Sequence, residues 1–229
     1  MNTLKNLSRS LLATGVLIGC ASPAWAQVPM ASEFAILGGT AVTCTGGSVV
    51  GDVGISPGIT ASFTNTGCTI AGGTPPATNQ AAAQARADLY NGYTVLQSKS
   101  CTENLAGSLA GQNVAPGVYC VDAVAKTGLL TLTGPSDGVW IFLVEGALTG
   151  TNFSVEMAGG GQPCNVYWVP KVAATMTTSS LKGRIFAGDA VLGSITFTGG
   201  ILAGQALANV AVTTTGTSVI GCHALQLSQ

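Results

Sequence analysis

Seven short stretches of this chain place two threonines on either side of a single residue. Side chains alternate between the two faces of a β-strand, so each triplet directs both threonines to one face and its middle residue to the other. Where the middle residue is Met176 or Phe197, the threonines are expected to face water. The triplets are Thr43-Cys44-Thr45, Thr64-Asn65-Thr66, Thr131-Leu132-Thr133, Thr149-Gly150-Thr151, Thr175-Met176-Thr177, Thr196-Phe197-Thr198 and Thr213-Thr214-Thr215.

Stacked threonine triplets would form a regular grid of hydroxyl and methyl groups. Strands of stacked coils lie about 4.8 Å apart, and alternate residues along a strand about 6.7 Å apart. β-Branching restricts the χ1 angle of threonine, so the grid is rigid before anything binds to it. Such a surface can order water at a small entropic cost, whereas a strand face that is simply solvated would use threonine as well.

Residues suited to catalysis or metal binding form no recognisable cluster in the sequence. The lone histidine, His223, lies in the tail, and the chain contains no Cys-X-X-Cys pair. We therefore predict neither an enzyme nor a cofactor or metal site. The carboxylates are spread over different turns, where surface and turn roles are expected: Asp52, Asp122, Asp137, Glu145, Glu156 and Asp189.

Composition indicates a chain that folds with few charges. Of its 229 residues, 47% are apolar and only 7% are charged, and the formal net charge is -1. The length suits one domain with an ample core. Because the few lysines and arginines are scattered singly, nucleic acid is not an expected partner.

The N-terminus has the features of an export signal. Lys5 and Arg9 precede an apolar run that is too short to span a bilayer, and Ala24-Trp25-Ala26 forms a cleavage site. We predict a signal peptide over residues 1–26 and a single domain over 27–229. The alternative is a lipobox ending at Cys20, which would anchor the chain through a lipid. No later segment is long and apolar enough to predict a membrane span, and either route leads to secretion, the periplasm or the cell envelope.

Six cysteines remain after the leader, and an even number in an exported chain suggests disulfides. Fifteen pairings are possible if all six are used. We favour Cys101 with Cys120, which brackets a short irregular segment, and Cys164 with Cys222, which would tie the last turns together. Cys44 with Cys68 then follows by elimination.

One helix and a series of β-coils are the elements expected to position the threonines. The spacing of Ala82, Ala85, Leu89, Tyr93 and Leu96 predicts an amphipathic helix over about residues 79–98, with Thr78 or Asn79 as its N-cap. Aligning the last five triplets also aligns a second strand in each repeat. A repeat of about 20 residues with two or three strands is typical of a β-helix. The aligned second strands are Trp140-Ile141-Phe142, Val166-Tyr167-Trp168, Arg184-Ile185-Phe186 and Gln205-Ala206-Leu207, whose aromatic residues are expected in the core.

These landmarks together resemble the microbial ice-binding proteins built on a discontinuous β-helix. The resemblance covers nearly all of the mature chain. The segments that carry it are Phe34-Ala35-Ile36-Leu37-Gly38-Gly39, Gly51-Asp52-Val53-Gly54-Ile55-Ser56-Pro57-Gly58, the helix, Ala115-Pro116-Gly117-Val118-Tyr119, Val139-Trp140-Ile141-Phe142, Cys164-Asn165-Val166-Tyr167-Trp168, Gly183-Arg184-Ile185-Phe186-Ala187 and Gly204-Gln205-Ala206-Leu207-Ala208.

The resemblance implies a mainly β fold, a triangular discontinuous β-helix with a single long α-helix packed alongside. It also implies a flat ice-binding face rich in Thr, Ser and Ala, in some members with Thr-Gly/Ala-X-Thr/Asn repeats. Thr149-Gly150-Thr151-Asn152 and Thr66-Gly67-Cys68-Thr69 fit that repeat, whereas Thr175-Met176-Thr177-Thr178 and Thr196-Phe197-Thr198-Gly199 do not.

We therefore expect a monomer that adsorbs to an ice crystal surface and inhibits ice growth or recrystallisation. The alternative is a non-catalytic envelope structural or adhesion module, including a carbohydrate-binding one, on the same scaffold. The predicted ice-binding residues are Thr131, Thr133, Thr149, Thr151, Thr175, Thr177, Thr196, Thr198, Thr213 and Thr215.

Overall fold

The computed structural model describes residues 33–57, 62–73 and 80–226. The predictions for the leader, Cys20 and the helix N-cap concern residues outside these ranges. None of the helices in the described part is long and apolar enough to cross a membrane.

Seventeen strands and two helices make up the described chain, and all the strand pairings are parallel and belong to one sheet. The helices are α1 (Gln80–Gln97) and α2 (Cys222–Gln226). The strands are β1 (Phe34–Gly38), β2 (Ala41–Val50), β3 (Asp52–Ile55), β4 (Phe63–Thr66), β5 (Thr69–Ala71), β6 (Glu103–Leu105), β7 (Asn113–Val114), β8 (Gly117–Val121), β9 (Lys126–Thr133), β10 (Trp140–Val144), β11 (Leu148–Ala158), β12 (Val166–Pro170), β13 (Ala174–Thr177), β14 (Ser180–Ala187), β15 (Ile195–Thr198), β16 (Ile201–Ala208) and β17 (Ala211–Ile220).

The pairings divide the sheet into three parallel ladders, and six of the eight coils contribute a strand segment to all three. The helix-side ladder stacks β6, β8, β10, β12, the second half of β14, the second half of β16, β1 and β3. The threonine ladder stacks the first half of β11, β13, β15, the first half of β17, the first half of β2, and β4. The third ladder stacks β7, β9, the second half of β11, the first halves of β14 and β16, the second halves of β17 and β2, and β5.

The N-terminal coils stack on the C-terminal ones rather than on the coil that follows them in sequence. β1 pairs with β16, and β2 pairs with β17 over nine residue positions from Ala41–Ala211 to Val50–Ile220. The solenoid is therefore discontinuous in sequence, because the coil of β16 and β17 lies inside the stack and the coils of β1 to β5 lie beyond it. Strands β1 to β5 extend the same three ladders.

Inward side chains of the coils form one continuous apolar interior. Tyr119, Phe142 and Trp168 stack in a column with centroid separations of 5.6 and 4.2 Å, and Phe153 meets Trp168 edge-on. The indole N–H of Trp168 donates to the carbonyl of Lys182 at 3.0 Å, so its one polar group is satisfied. The predicted core aromatic residues are buried: Trp140, Trp168, Phe142 and Phe186.

The predicted alignment of the second strands was wrong by one residue at one step. Arg184 pairs with Tyr167, not with Val166. Gly183 precedes it with φ of +121°, and a Cβ there would lie 2.8 Å from the carbonyl oxygen of Val166. At this close approach the register between the two strands shifts by one residue. As a result, Tyr167 and Phe186 both pack under the helix.

Helix α1 covers the outward side of the helix-side ladder. Its buried residues are Ala82, Ala85, Leu89 and Leu96, which confirms the predicted apolar face apart from Tyr93, which is only half-buried. They pack against outward side chains of the ladder such as Leu143, Val169, Phe186 and Leu207. The amide of Gln97 donates to the carbonyl of Val169 at 3.2 Å and ties the end of the helix to β12.

Three disulfides join the pairs predicted from the sequence: Cys44–Cys68, Cys101–Cys120 and Cys164–Cys222. Cys44–Cys68 joins β2 to the corner that follows β4, in the last coil of the stack. Cys164–Cys222 joins a 3-10 turn at Pro163–Asn165 to helix α2. The cross-links thus lie at an end coil, beside the helix, and at the chain terminus.

An ion pair between a buried lysine and a half-exposed aspartate lies in the coil that contains β9. Lys126 is 1% exposed, and its Nζ donates to Asp122 at 2.6 Å and to the carbonyl of Gly107 at 2.8 Å. The other carboxylate oxygen of Asp122 accepts from the backbone N–H of Gly107. The hydrogen bond from Lys126, followed by that from Gly107, lowers the pKa of Asp122 below its ordinary value.

Removal of the terminal cross-link should cost about 4 kcal/mol, because Cys164 and Cys222 are 58 residues apart and their bridge restricts the unfolded chain. Differential scanning calorimetry of the variant Cys164→Ala/Cys222→Ala should show the loss. Non-reducing peptide mapping should find the two wild-type peptides linked, and free thiols at both positions would contradict this pairing.

Acid should remove the stabilisation that Asp122 provides. Because the folded-state pKa lies below that of the unfolded chain, about 3.9, the contribution is complete above that value and is lost as pH falls through the lower folded pKa. Melting temperatures between pH 7 and 2 should fall less steeply for Asp122→Asn/Lys126→Met than for the wild type. Asp122→Asn alone should be less stable at pH 7 than the double variant, because it leaves the buried Lys126 ammonium without its carboxylate. Parallel pH profiles for the wild type and the double variant would contradict this assignment.

Candidate functional site

Six threonine triplets lie side by side along the threonine ladder. The register pairs Thr149 with Thr175, Thr175 with Thr196, Thr196 with Thr213, Thr213 with Thr43, and Thr43 with Thr64. The second threonine of each triplet follows the same order: Thr151, Thr177, Thr198, Thr215, Thr45 and Thr66. Twelve threonines therefore form two columns of six.

The alternation of the strands directs these threonines outward. The middle residues of five triplets are buried, whereas all twelve flanking threonines are half-buried or exposed. In the coil of β4 the middle residue, Asn65, is exposed because no other strand of the described residues stacks beyond it, and its side chain bonds to the backbone of Cys68. The five buried middle residues are Gly150, Met176, Phe197, Thr214 and Cys44.

The chain turns away from the ladder at the same place in every coil. The residue directly after the second threonine has a positive φ in all six coils, between 46° and 75°. Glycine adopts this conformation without strain, and asparagine is the next most tolerant residue. At the two positions that carry larger side chains, the Thr178 hydroxyl donates to the amide oxygen of Asn152 at 2.5 Å. These corner residues are Asn152, Thr178, Gly199, Gly216, Gly46 and Gly67.

Two buried hydroxyls bind the corners of neighbouring coils together. Ser179 donates to the carbonyl of Thr177 and accepts from the N–H of Phe153 in the coil beside it. The Thr217 hydroxyl lies within 3.2 Å of the carbonyl oxygens of Gly199 and Thr215, again in adjacent coils. These contacts keep the edge of the threonine ladder in line from coil to coil.

The outward positions of the threonine ladder carry no ionisable side chain in any of its six triplets. The nearest cation along the stack is Lys126, which pairs with Gly150 and therefore occupies a middle position. Its side chain points inward to Asp122, so it does not charge the surface. With coils about 4.8 Å apart, the six triplets extend over about 24 Å.

Eight of the ten predicted site residues lie on this ladder, and Thr131 and Thr133 do not. Thr131 pairs with Glu156 and with Asn113, and the Thr133 hydroxyl donates to Asn113 at 2.7 Å. The predicted alignment of these two residues with the other triplets was wrong, because Gly128, with φ of 72°, already forms a corner before them. They therefore lie on the third ladder.

Four threonines that were not among the predicted site residues lie in the same two columns. Thr43, Thr45, Thr64 and Thr66 belong to the N-terminal coils, which stack beyond β17. The sequence did contain the pattern that marks them, since each of these two pairs of threonines flanks a single residue, as in the other triplets. Their place on the ladder could not be inferred from chain order, because the N-terminal coils follow the C-terminal ones in space.

Carboxylates elsewhere on the described chain take part in local structure. Asp52 accepts from the N–H of Gly73, and Asp189 accepts from the N–H groups of Leu192 and Val191, which lower its pKa. Glu145 pairs with Lys171 on the surface. Within residues 33–57, 62–73 and 80–226, histidine, cysteine and carboxylate side chains form no group of three that could hold a metal ion.

Comparison with known proteins gives a consistent result. The family model described as ice-binding-like matches residues 36–220. An ice-binding protein of Nostoc sp. (strain HG1) is 37% identical over 193 residues, which cover 80% of this chain and 69% of that protein. Ice-binding protein K3-B1 of Typhula ishikariensis is 29% identical over 210 residues, covering 80% and 86% of the two chains.

Solved structures agree with the sequence comparison. The crystal structure of an ice-binding protein from an Antarctic biological consortium superposes with a TM-score of 0.74 at 27% identity, covering 95% of this chain and 96% of that one. The family match extends over all three ladders and nearly the whole described chain, so the resemblance drawn from short motifs is confirmed. This chain belongs to the ice-binding-like family.

Proposed function

We propose that this protein binds ice through the threonine ladder and thereby slows the growth or recrystallisation of ice. The observation that carries the proposal is the register of twelve outward threonines in two columns, with no charged side chain among them. The relatives in Nostoc and Typhula bear the name ice-binding protein, which supports the same activity here.

The grid acts by holding water in a fixed pattern before contact with ice. Threonine methyl groups keep water off parts of the surface, while hydroxyls and backbone groups anchor it at regular spacings. Because χ1 of each threonine is restricted and the corners are pinned by buried hydroxyls, ordering this water costs little entropy. Many weak contacts then add up over the surface without rearrangement of the protein.

The three ladders support a triangular cross-section for the β-helix. Each coil turns at a corner between the threonine ladder and the third ladder, and a single interior cluster contains inward residues from every ladder. A closed, three-sided coil explains both observations. It also keeps the threonine ladder flat, because the corners fall at the same residue position in each coil.

Residues 1–26 act as an export signal in this proposal, and residues 27–229 form one domain that works as a monomer without catalysis. Three disulfides support export, since such bonds persist in oxidising compartments outside the cytoplasm. Lipid attachment at Cys20 is the alternative route to the envelope. Mass spectrometry of the mature N-terminus distinguishes the two.

An adhesion or structural role without ice activity is the competing function. In that case the regular alignment of the threonines would reflect only that threonine is well suited to solvent-exposed strands. Thermal hysteresis and ice-recrystallisation assays on the purified mature chain separate the two functions. Absence of ice shaping at high protein concentration would rule out the proposed one.

A lysine in the middle of the ladder should abolish most ice activity. Thr196 lies between Thr175 and Thr213, and Thr198 between Thr177 and Thr215, so a charged side chain at either position would hold its own water in the centre of the grid. Thr196→Lys or Thr198→Lys should reduce thermal hysteresis several-fold and change the free energy of unfolding by only about 0.5 kcal/mol. The measurements are thermal hysteresis and chemical denaturation.

Thr131→Lys provides a matched control, because Thr131 belongs to the same type of triplet on the third ladder. It should retain full ice activity. If the ladder lysines retain activity while Thr131→Lys loses it, the third ladder is the ice-binding surface.

The variant Thr214→Val tests whether the middle residue of this triplet faces the interior. Thr214 is 0% exposed and its hydroxyl has no hydrogen-bond partner, so replacing it with an isosteric methyl should stabilise the fold by about 1 kcal/mol. Its ice activity should equal that of the wild type, whereas Thr213→Val and Thr215→Val should change ice activity. A destabilised Thr214→Val variant would show that the hydroxyl is hydrogen-bonded in solution.

A further inference from the structure

Helix α1 borders an open groove along its flank, where Ser56, Ala190 and Asn209 of the solenoid form the opposite wall. The groove has a volume of about 490 Å³, within the range of small-molecule sites, and three alanines of its lining leave room beside the helix. Its polar lining residues are Ser56, Arg86, Tyr90 and Asn209. It is separate from the threonine ladder, whose residues do not line it.

Arg86 is the charged group of this groove. Its Nε is buried and has no hydrogen-bond partner, and neither of the two ion pairs in the described chain involves it. No aspartate or glutamate lines the groove. A partly desolvated guanidinium without a counter-charge favours an anion, and its planar fork matches a carboxylate.

Tyr90 lies one helical turn after Arg86 and is 54% exposed, so its ring borders the same groove. An exposed aromatic ring beside an arginine offers an apolar face for a sugar ring and a hydroxyl at its edge. Ser56 and Asn209 add short polar groups, and the side-chain amide of Asn209 is held in place by contacts to the carbonyls of Gly188 and Asp189. The combination is suited to a ring that carries both hydroxyls and a carboxylate.

We propose that this groove binds a uronate residue of an acidic polysaccharide, with its carboxylate on Arg86 and its ring against Tyr90. Because the groove is open to solvent, the neighbouring sugars of a chain can extend from it. The protein would then hold an acidic glycan on its helix side while the threonine ladder stays free. This binding does not depend on ice activity.

Isothermal titration of the mature, disulfide-bonded protein with trigalacturonate tests the proposal, with methyl-esterified trigalacturonate and sodium acetate as matched ligands. We expect the wild type to bind the acid form saturably, and the affinity of Arg86→Met for it to be weaker by about tenfold or more. Lys182→Met removes an equal charge from the third ladder and should bind as the wild type does. Thermal hysteresis of Arg86→Met should be unchanged, which keeps this test separate from the ice-binding one.

Three results would overturn the proposal: no saturable binding of the acid form, equal binding of the ester, or equal affinity for acetate. Retained affinity in a folded Arg86→Met variant would do the same. If Arg86→Met does not fold, Tyr90→Ala serves in its place, since that exposed side chain can be shortened without opening the core. Undiminished binding by Tyr90→Ala would then count against the site.

Discussion

The parallel hydrogen-bond register between successive coils is the constraint on which the rest of this structure depends. Side chains of a strand alternate, so a slip of one residue in any coil would turn its threonines inward and its core residue outward. The register is unbroken across the six coils of the threonine ladder, from Thr149 to Thr64. It is fixed by corners that recur directly after each triplet and by buried hydroxyls that join neighbouring corners.

A solenoid held together by register needs ends that do not fray or attract further strands. At the β4 end, Asn65 holds the middle position of its triplet but is exposed, and it bonds to the corner at Cys68, which is itself cross-linked to Cys44. Toward the other end, Lys126 fills an interior position and pairs with Asp122 and Gly107. Polar groups near the ends of a stack of repeats are expected, because the terminal repeats lack a neighbour on one side.

The sequence was sufficient for the parts of the fold that depend on local pattern. The helix, the buried aromatic residues and the outward direction of the threonines follow from periodicity and alternation, and the structure has them. Non-local order was not accessible in the same way. Thr131 was misplaced because one continuous strand passes a corner and serves two ladders, and Thr43 and Thr64 were left off the site because chain order does not show that β2 stacks on β17.

Differences among the three ladders support the proposal that the threonine ladder is the surface that binds ice. Helix α1 covers the helix-side ladder, so its outward residues are buried. The third ladder is open, but it carries Glu156 and Lys182, and Leu129 and Ile201 are 40% and 46% exposed there. Charges keep their own hydration shells, and branched apolar side chains of different length make the surface uneven. The threonine ladder repeats one short, stiff side chain in two columns, so each coil presents the same hydroxyl and methyl groups as the next, as the proposed ice binding requires.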